Sequence, residues 1–298
     1  METRDLGRTG LRVSALGFGG SEIGFEKAPQ ADVDRLLNSA LDAGLNVIDT
    51  AAFYPESEKK IGRAIGSRRK HFFLFTKCGF PGSDDPEHWS SEALTRSIDR
   101  SLADLQTDYV DLIQLHTCSE PKLRQGEVIE ALRRARDAGK TRFIGYSGEA
   151  EAALHAIECG AFDTLQTSVN IADQSSIDEI LPKARAAGMG LIAKRPIANA
   201  AWKTGRKPAS SYHHEYWDRL QELAYDFLCD GLQESISVAL RFTLAQPGVS
   251  TAIVGTTKPD RWISNAAMLE AGPLDPALIE RIRTRWRSVA KPHWVGQV

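Results

Sequence analysis

Four ionisable residues stand at matching points of three similar stretches of this chain. Gly44-Leu45-Asn46-Val47-Ile48-Asp49 is a mostly apolar run that ends in an aspartate, and Tyr54 follows in the next loop. Phe72-Phe73-Leu74-Phe75-Thr76-Lys77 ends in a lysine, and Tyr109-Val110-Asp111-Leu112-Ile113-Gln114-Leu115-His116 ends in a histidine. A free tyrosine titrates near about pH 10, too high for an efficient acid or base at neutral pH. A neighbouring ammonium stabilises the phenolate and lowers that value. An aspartate paired with the lysine would keep it charged and fixed in place. A histidine across the pocket could hydrogen-bond a substrate oxygen and orient it. Together the four suit proton transfer at a carbonyl oxygen while something else attacks the carbon. The set holds no obvious nucleophile or metal, so the reactive electrons are expected from a cofactor.

Such residues need strands to present them, and the chain alternates two periodicities that supply strands and helices in turn. After a hairpin turned between Gly7 and Gly10, strands are expected at 15–19, 45–49, 72–77, 109–115, 142–145, 164–167, 190–194 and 250–254. Helices are expected at 31–43, 57–65, 90–105, 125–138, 150–159, 177–187 and 233–245, with a last one from near Pro259. The first carries Val33, Leu36, Leu37, Ala40 and Leu41 on one face, and Gly44 stops it. Eight such units in about 250 residues fit a (β/α)8 TIM barrel, whose active sites lie at the carboxyl ends of the strands. An open doubly wound sheet fits less well, because no Gly-rich fingerprint follows the first strand. The whole of 1–298 is therefore expected to be one barrel domain. The interval 196–231 is too long for an ordinary connection. Its aromatic stretch Ser211-Tyr212-His213-His214-Glu215-Tyr216-Trp217 reads equally as a surface insertion or as a lid over the barrel mouth.

Composition narrows the field of partners. A net charge of −2 without a dense basic run offers no field for nucleic acid or an anionic membrane surface. The start, Met1-Glu2-Thr3-Arg4-Asp5, has no apolar segment behind it, so no secretory signal is expected. No stretch approaches the roughly 20 apolar residues of a membrane span. A cytoplasmic protein is the expectation. Cys78, Cys118, Cys159 and Cys229 lack the close pairing of a zinc or redox motif and are expected to be reduced thiols. His116 and Cys118 supply two of the four ligands a structural zinc needs, so no metal is expected.

At these residues the chain resembles the aldo-keto reductases over essentially its whole length. The family pattern G-x-N-x-x-D-T-A-x-x-Y is met at each fixed position from Gly44 to Tyr54 and continues into Ser57-Glu58 and Ile61-Gly62. The resemblance implies a catalytic tetrad of Asp49, Tyr54, Lys77 and His116 and an NADPH-dependent reduction of a small aldehyde or ketone, with NADP favoured over NAD. It also implies a grip on the nicotinamide carboxamide by Ser147 and Gln166, with Gly148 where the family has an asparagine. At the seventh strand the family's stacking aromatic is replaced by Lys194, followed by Arg195 and Pro196. A cation beside an oxidised, cationic nicotinamide is repelled, so Lys194 is expected to point at the cofactor phosphates. Trp202 is a candidate for the missing stacking partner. Gly255, Thr256 and Thr257 fall in the phosphate-binding loop, where backbone amides suffice. Arg261 and Asn265 fall where the family meets the 2′-phosphate and the adenine, with Lys258 nearby; Gly255 takes the place of a common phosphate-binding lysine.

Two other readings stay open. A nucleotide-binding sensor or regulatory subunit of the same fold would turn over slowly. A barrel lyase would use Lys77 as a Schiff base, which requires that lysine to be unpaired and neutral.

Overall fold

The chain begins with a hairpin, β1 (Thr3–Asp5) antiparallel to β2 (Arg12–Ser14), whose turn ends at Gly10 in the left-handed region at φ 73°. Eight further strands follow: β3 (Leu16–Gly19), β4 (Val47–Asp49), β5 (Phe73–Cys78), β6 (Val110–His116), β7 (Thr141–Ser147), β8 (Thr164–Ser168), β9 (Gly190–Lys194) and β10 (Val249–Gly255). The computed structural model describes residues 1–297. In it these eight strands pair in parallel and in chain order, and β10 closes on β3 with Ile253 opposite Gly17 and Gly255 opposite Gly19. The result is the expected closed (β/α)8 barrel.

Strand alternation divides the core in two. Ile48, Leu74, Ile113, Ile144, Leu165 and Leu191 face out and pack under the helices. Val47, Phe75, Leu112, Ile192 and Ile253 face in and meet Leu6, Leu11 and Val13 of the hairpin. The hairpin closes the amino-terminal end of the barrel, where Arg8 N donates to Gly188 O at 2.8 Å and Ser14 N to Asn46 Oδ1 at 2.6 Å. Counting onward by two from the inward residues reaches Asp49, Lys77, Gln114, His116, Lys194 and Gly255. The parity that fills one end of the barrel with apolar side chains thus delivers polar ones to the other.

The main barrel helices are Gln30–Asp42, Ser57–Ile65, Ser91–Leu105, Glu127–Asp137, Ala150–Glu158, Ile180–Ala186, Leu232–Leu244 and Arg261–Ala267. Ser90 caps the third of these, its hydroxyl accepting from Ala93 N. The helix expected over 125–138 is instead two, Glu120–Gln125 and Glu127–Asp137, because Gly126 between them sits at φ 78°. A terminal helix, Pro276–Val289, goes beyond the expected set; Asp275 caps it and Pro276 opens its first turn. Within 196–231 lies the helix His214–Leu223, fastened through buried Tyr216, Arg219, Leu220 and Leu223. Arg219 donates to Val295 O at 2.8 Å, so the insertion also holds the carboxyl-terminal tail. All four cysteines are free thiols. Among the described residues, no helix is long and apolar enough to cross a membrane.

Candidate active site

Asp49 is the last residue of β4, and the loop after it is held by its neighbours on both sides. Thr50 N donates to Phe75 O at 2.9 Å, and Ala52 N to Lys77 O at 3.0 Å. Ser57 Oγ reaches back to Gly20 O at 2.7 Å. A tight turn, Tyr54 N to Ala51 O at 3.0 Å, then presents the Tyr54 ring. The strand that carries Lys77 therefore also anchors the loop that carries the phenol.

The four residues converge on one rim. Lys77 Nζ forms a salt bridge with Asp49 Oδ2 and donates to Thr50 O at 2.9 Å, with both charged side chains 1% exposed. The ammonium lies 5.4 Å from the centre of the Tyr54 ring. The His116 ring meets the Tyr54 ring edge-on, 5.6 Å between centres. Asp49 Oδ1 accepts from Gln114 Nε2 at 3.2 Å and from Gln166 Nε2 at 3.0 Å, and Gln166 Oε1 accepts from Ser147 Oγ at 3.0 Å. One continuous polar chain therefore joins the lysine to the serine. A Schiff-base lysine should be unpaired, and Lys77 is not.

Burial sets the protonation states. Burial pushes the Tyr54 phenol above its ordinary value, and the Asp49 carboxylate pushes it further. The sequence suggests a phenol lowered by Lys77; here burial and Asp49 act in the opposite direction, and Lys77 is paired with Asp49. Burial lowers Lys77, and Asp49 opposes that. His116 is held well below 6.5 by burial, then by the cations Lys77, Lys194 and Arg195. Its Nδ1 is buried without a hydrogen-bond partner. A pH profile of turnover should accordingly show no histidine ionisation between about pH 6 and 8; a His116→Asn enzyme that removes a wild-type inflection in that window would contradict this.

Gln114, unnoticed in the sequence, was legible as a polar residue two places before His116, on the same face of β6. Phe25, Phe53 and Phe80 were not, since their meeting brings together three separate segments that follow β3, β4 and β5. Phe25 stands 5.7 Å from the Tyr54 ring and Phe53 4.8 Å from Phe80, an apolar wall beside the phenol.

The remaining expected residues lie at strand ends or just beyond them. Lys194 ends β9 with an interior partner, Glu149 Oε1, at 3.0 Å, and burial lowers it to about 8. Trp202 is buried, its Nε1 donating to Ser235 Oγ at 2.8 Å. Gly255 ends β10. Thr256 Oγ1 accepts from Lys258 N at 3.1 Å, and Thr257 Oγ1 donates to Glu26 Oε2 at 3.1 Å. A cavity beyond them is lined by Gln233, Lys258, Pro259, Asp260, Arg261 and Ser264. Asn265, on the helix that Arg261 opens, is 2% exposed, yet its Oδ1 has no hydrogen-bond partner. An orphaned buried amide one residue from the cavity-lining Ser264 fits an absent polar ligand.

The model of the Aldo/keto reductase family matches residues 15–287. The chain belongs to that family. Aldo-keto reductases are oxidoreductases that use nicotinamide cofactors on small carbonyl compounds. L-galactose dehydrogenase of Arabidopsis thaliana is 30% identical over 99% of this chain and 97% of its own. The NADH-specific methylglyoxal reductase of Escherichia coli (strain K12) is 26% identical over 90% of this chain and 94% of its own. Among solved structures, the holo form of aldo-keto reductase AKR11C1 from Bacillus halodurans superposes with a TM-score of 0.84 at 26% identity, covering 98% of this chain and 99% of that one.

Proposed function

We propose that this aldo-keto reductase reduces aldehydes or ketones with NADPH, and that Tyr54 is the proton donor. The observation that carries the reading is the convergence of the Tyr54 phenol, the buried Lys77–Asp49 pair and the His116 imidazole on one rim. Bound reduced nicotinamide supplies a hydride to the carbonyl carbon. Tyr54 gives its hydroxyl proton to the carbonyl oxygen as charge develops there. Lys77 balances the phenolate left behind, and Asp49 keeps Lys77 in place. His116 Nε2–H donates to the same oxygen and shares its developing charge. Phe25, Phe53 and Phe80 shield the reacting atoms from water on one side. The insertion 196–231 forms part of the wall of the substrate pocket in this reading of 1–298 as one domain. Tyr212 supports that placement, since its hydroxyl accepts from Arg195 Nε at 2.9 Å just past β9.

Ser147 and Gln166 would hold the nicotinamide amide, Gly255–Thr257 the diphosphate, and Asn265 the adenine. Lys194 would reach a phosphate only by leaving Glu149. A panel of aldehydes and ketones, followed by loss of NADPH absorbance, tests the activity. Steady turnover with at least one carbonyl is expected. Stoichiometric oxidation of nucleotide without turnover on any of them would instead make the protein a redox sensor.

Arg261 and Lys258 favour NADPH over NADH. A guanidinium can take a 2′-phosphate with two charge-assisted hydrogen bonds, and NADH leaves both cations solvated. NADPH should bind tighter by about 2 kcal/mol, about thirtyfold. Arg261→Ala should erase most of that difference by weakening NADPH alone. Fluorescence titration measures it, and a variant that weakens both nucleotides alike would remove Arg261 from phosphate recognition.

A further inference from the structure

Gly255 ends β10 and opens the loop Gly255–Thr257, yet a carboxylate stands directly on it. A Cβ built on Gly255 would overlap the Glu22 carboxylate, with Glu22 Oε1 2.7 Å from that point. Glu22 belongs to the short helix Ser21–Phe25 that follows β3, the strand paired with β10. Its place is fixed by Ser21 Oγ, which donates to Glu22 Oε2 at 2.6 Å. Glu26 of the same segment meets the other end of the loop by accepting from Thr257 Oγ1. Two carboxylates therefore flank the loop whose backbone amides would take a diphosphate, Glu22 at Gly255 and Glu26 at Thr257. Only glycine at position 255 leaves room for this arrangement.

We infer that Glu22 is an anionic latch on the diphosphate subsite: nucleotide binding protonates its carboxylate in place, and so takes up a proton. The inference rests on the reading of Gly255–Thr257 as the diphosphate loop. Two negative groups cannot share one cradle without a counter-cation or a proton. The cations that face Glu22 are held by other groups, and Lys258 and Arg261 follow the loop at its other end. Glu26 adds a second negative charge; Arg195, from past β9, is engaged by Ser168 Oγ at 3.0 Å and Gln297 O at 2.8 Å. Lys60, from the helix Ser57–Ile65, spends its ammonium on Ile23 O at 3.0 Å. Tyr54 faces Glu22 from the loop after β4 and is neutral. Burial already raises the Glu22 carboxyl above its ordinary 4.5. A diphosphate beside it raises it further, so the complex holds a proton that the free protein lacks. Affinity then falls as pH rises, by up to about tenfold per unit, between those two values.

NADH is the cleaner probe, because its diphosphate does not titrate near neutrality and it has no 2′-phosphate. Fluorescence titration of the full chain with NADH should show affinity falling as pH rises, over a range that begins above the ordinary carboxyl value of 4.5. Glu22→Gln, similar in shape but uncharged, should bind NADH about tenfold tighter than wild type at the upper end of that range, with the slope gone. Glu22→Ala should behave alike, which separates loss of charge from a packing defect. Equal affinity in wild type and variant would overturn the inference. Weaker binding in Glu22→Gln would also overturn it and make Glu22 an acceptor for a ribose hydroxyl. A wild-type protein that binds neither NADH nor NADPH would instead sink the cofactor reading itself.

Discussion

Lys77→Met should abolish turnover and destabilise the fold together. Methionine keeps much of the lysine stem but leaves the Asp49 carboxylate, 1% exposed, with only Gln114 and Gln166 as donors. Breaking a buried pair on one side costs about 3–5 kcal/mol. The same change removes the ammonium 5.4 Å from the Tyr54 ring, which in the proposed mechanism balances the phenolate. Asp49→Asn should harm the rate less, since Lys77 keeps its bond to Thr50 O. The double variant should regain stability over Lys77→Met, because no uncompensated charge remains buried, but should stay inactive. Urea unfolding and single-turnover kinetics on the three variants measure both effects. An Asp49→Asn enzyme far slower than Lys77→Met would give the carboxylate a direct chemical role in place of an anchoring one.

Tyr54→Phe separates chemistry from structure more cleanly. The phenylalanine ring keeps the contacts with His116 and Phe25 and removes only the hydroxyl. The reduction rate should fall at least about a hundredfold, the scale of general acid catalysis, while nucleotide affinity and melting temperature stay put. Because burial and Asp49 hold the phenol above its ordinary value, wild-type reduction should show no loss of the acid from about pH 6 to 9. Retained turnover in Tyr54→Phe, on a substrate whose chemistry limits the rate, would dismiss Tyr54 as the donor.

The barrel and the carriers of its four central residues were legible because both follow from short-range rules. An apolar run ending in a charged residue marks a buried strand and its carboxyl end at once, and Asp49, Lys77 and His116 each carry that mark. What the sequence concealed arises where distant loops meet. Glu22 reads as an ordinary polar residue after a strand until closure of the barrel sets it on Gly255. How Lys77 divides its charge between Asp49 and Tyr54 was hidden for a similar reason. Residue types give the partners of a charge, while burial decides which partner it serves, and Lys77 serves Asp49. The divided helix at Gly126 and the capped helix from Pro276 did leave local signals, a glycine and an Asp-Pro pair, that periodicity alone passes over.

The barrel closes between β3 and β10, drawn from opposite ends of the chain. Such a joint forms late, because much of the chain must be ordered before its two edges can meet. The loop Gly255–Thr257 lies on that seam, and Asp49 lies one strand away. A nucleotide seated there binds the closed barrel and not the open chain, so it staples the seam. At a concentration a hundred times its Kd it would add about 2.7 kcal/mol to the closed state. If nucleotide sits there as proposed, the resistance of the purified protein to proteolysis should rise as nucleotide is added.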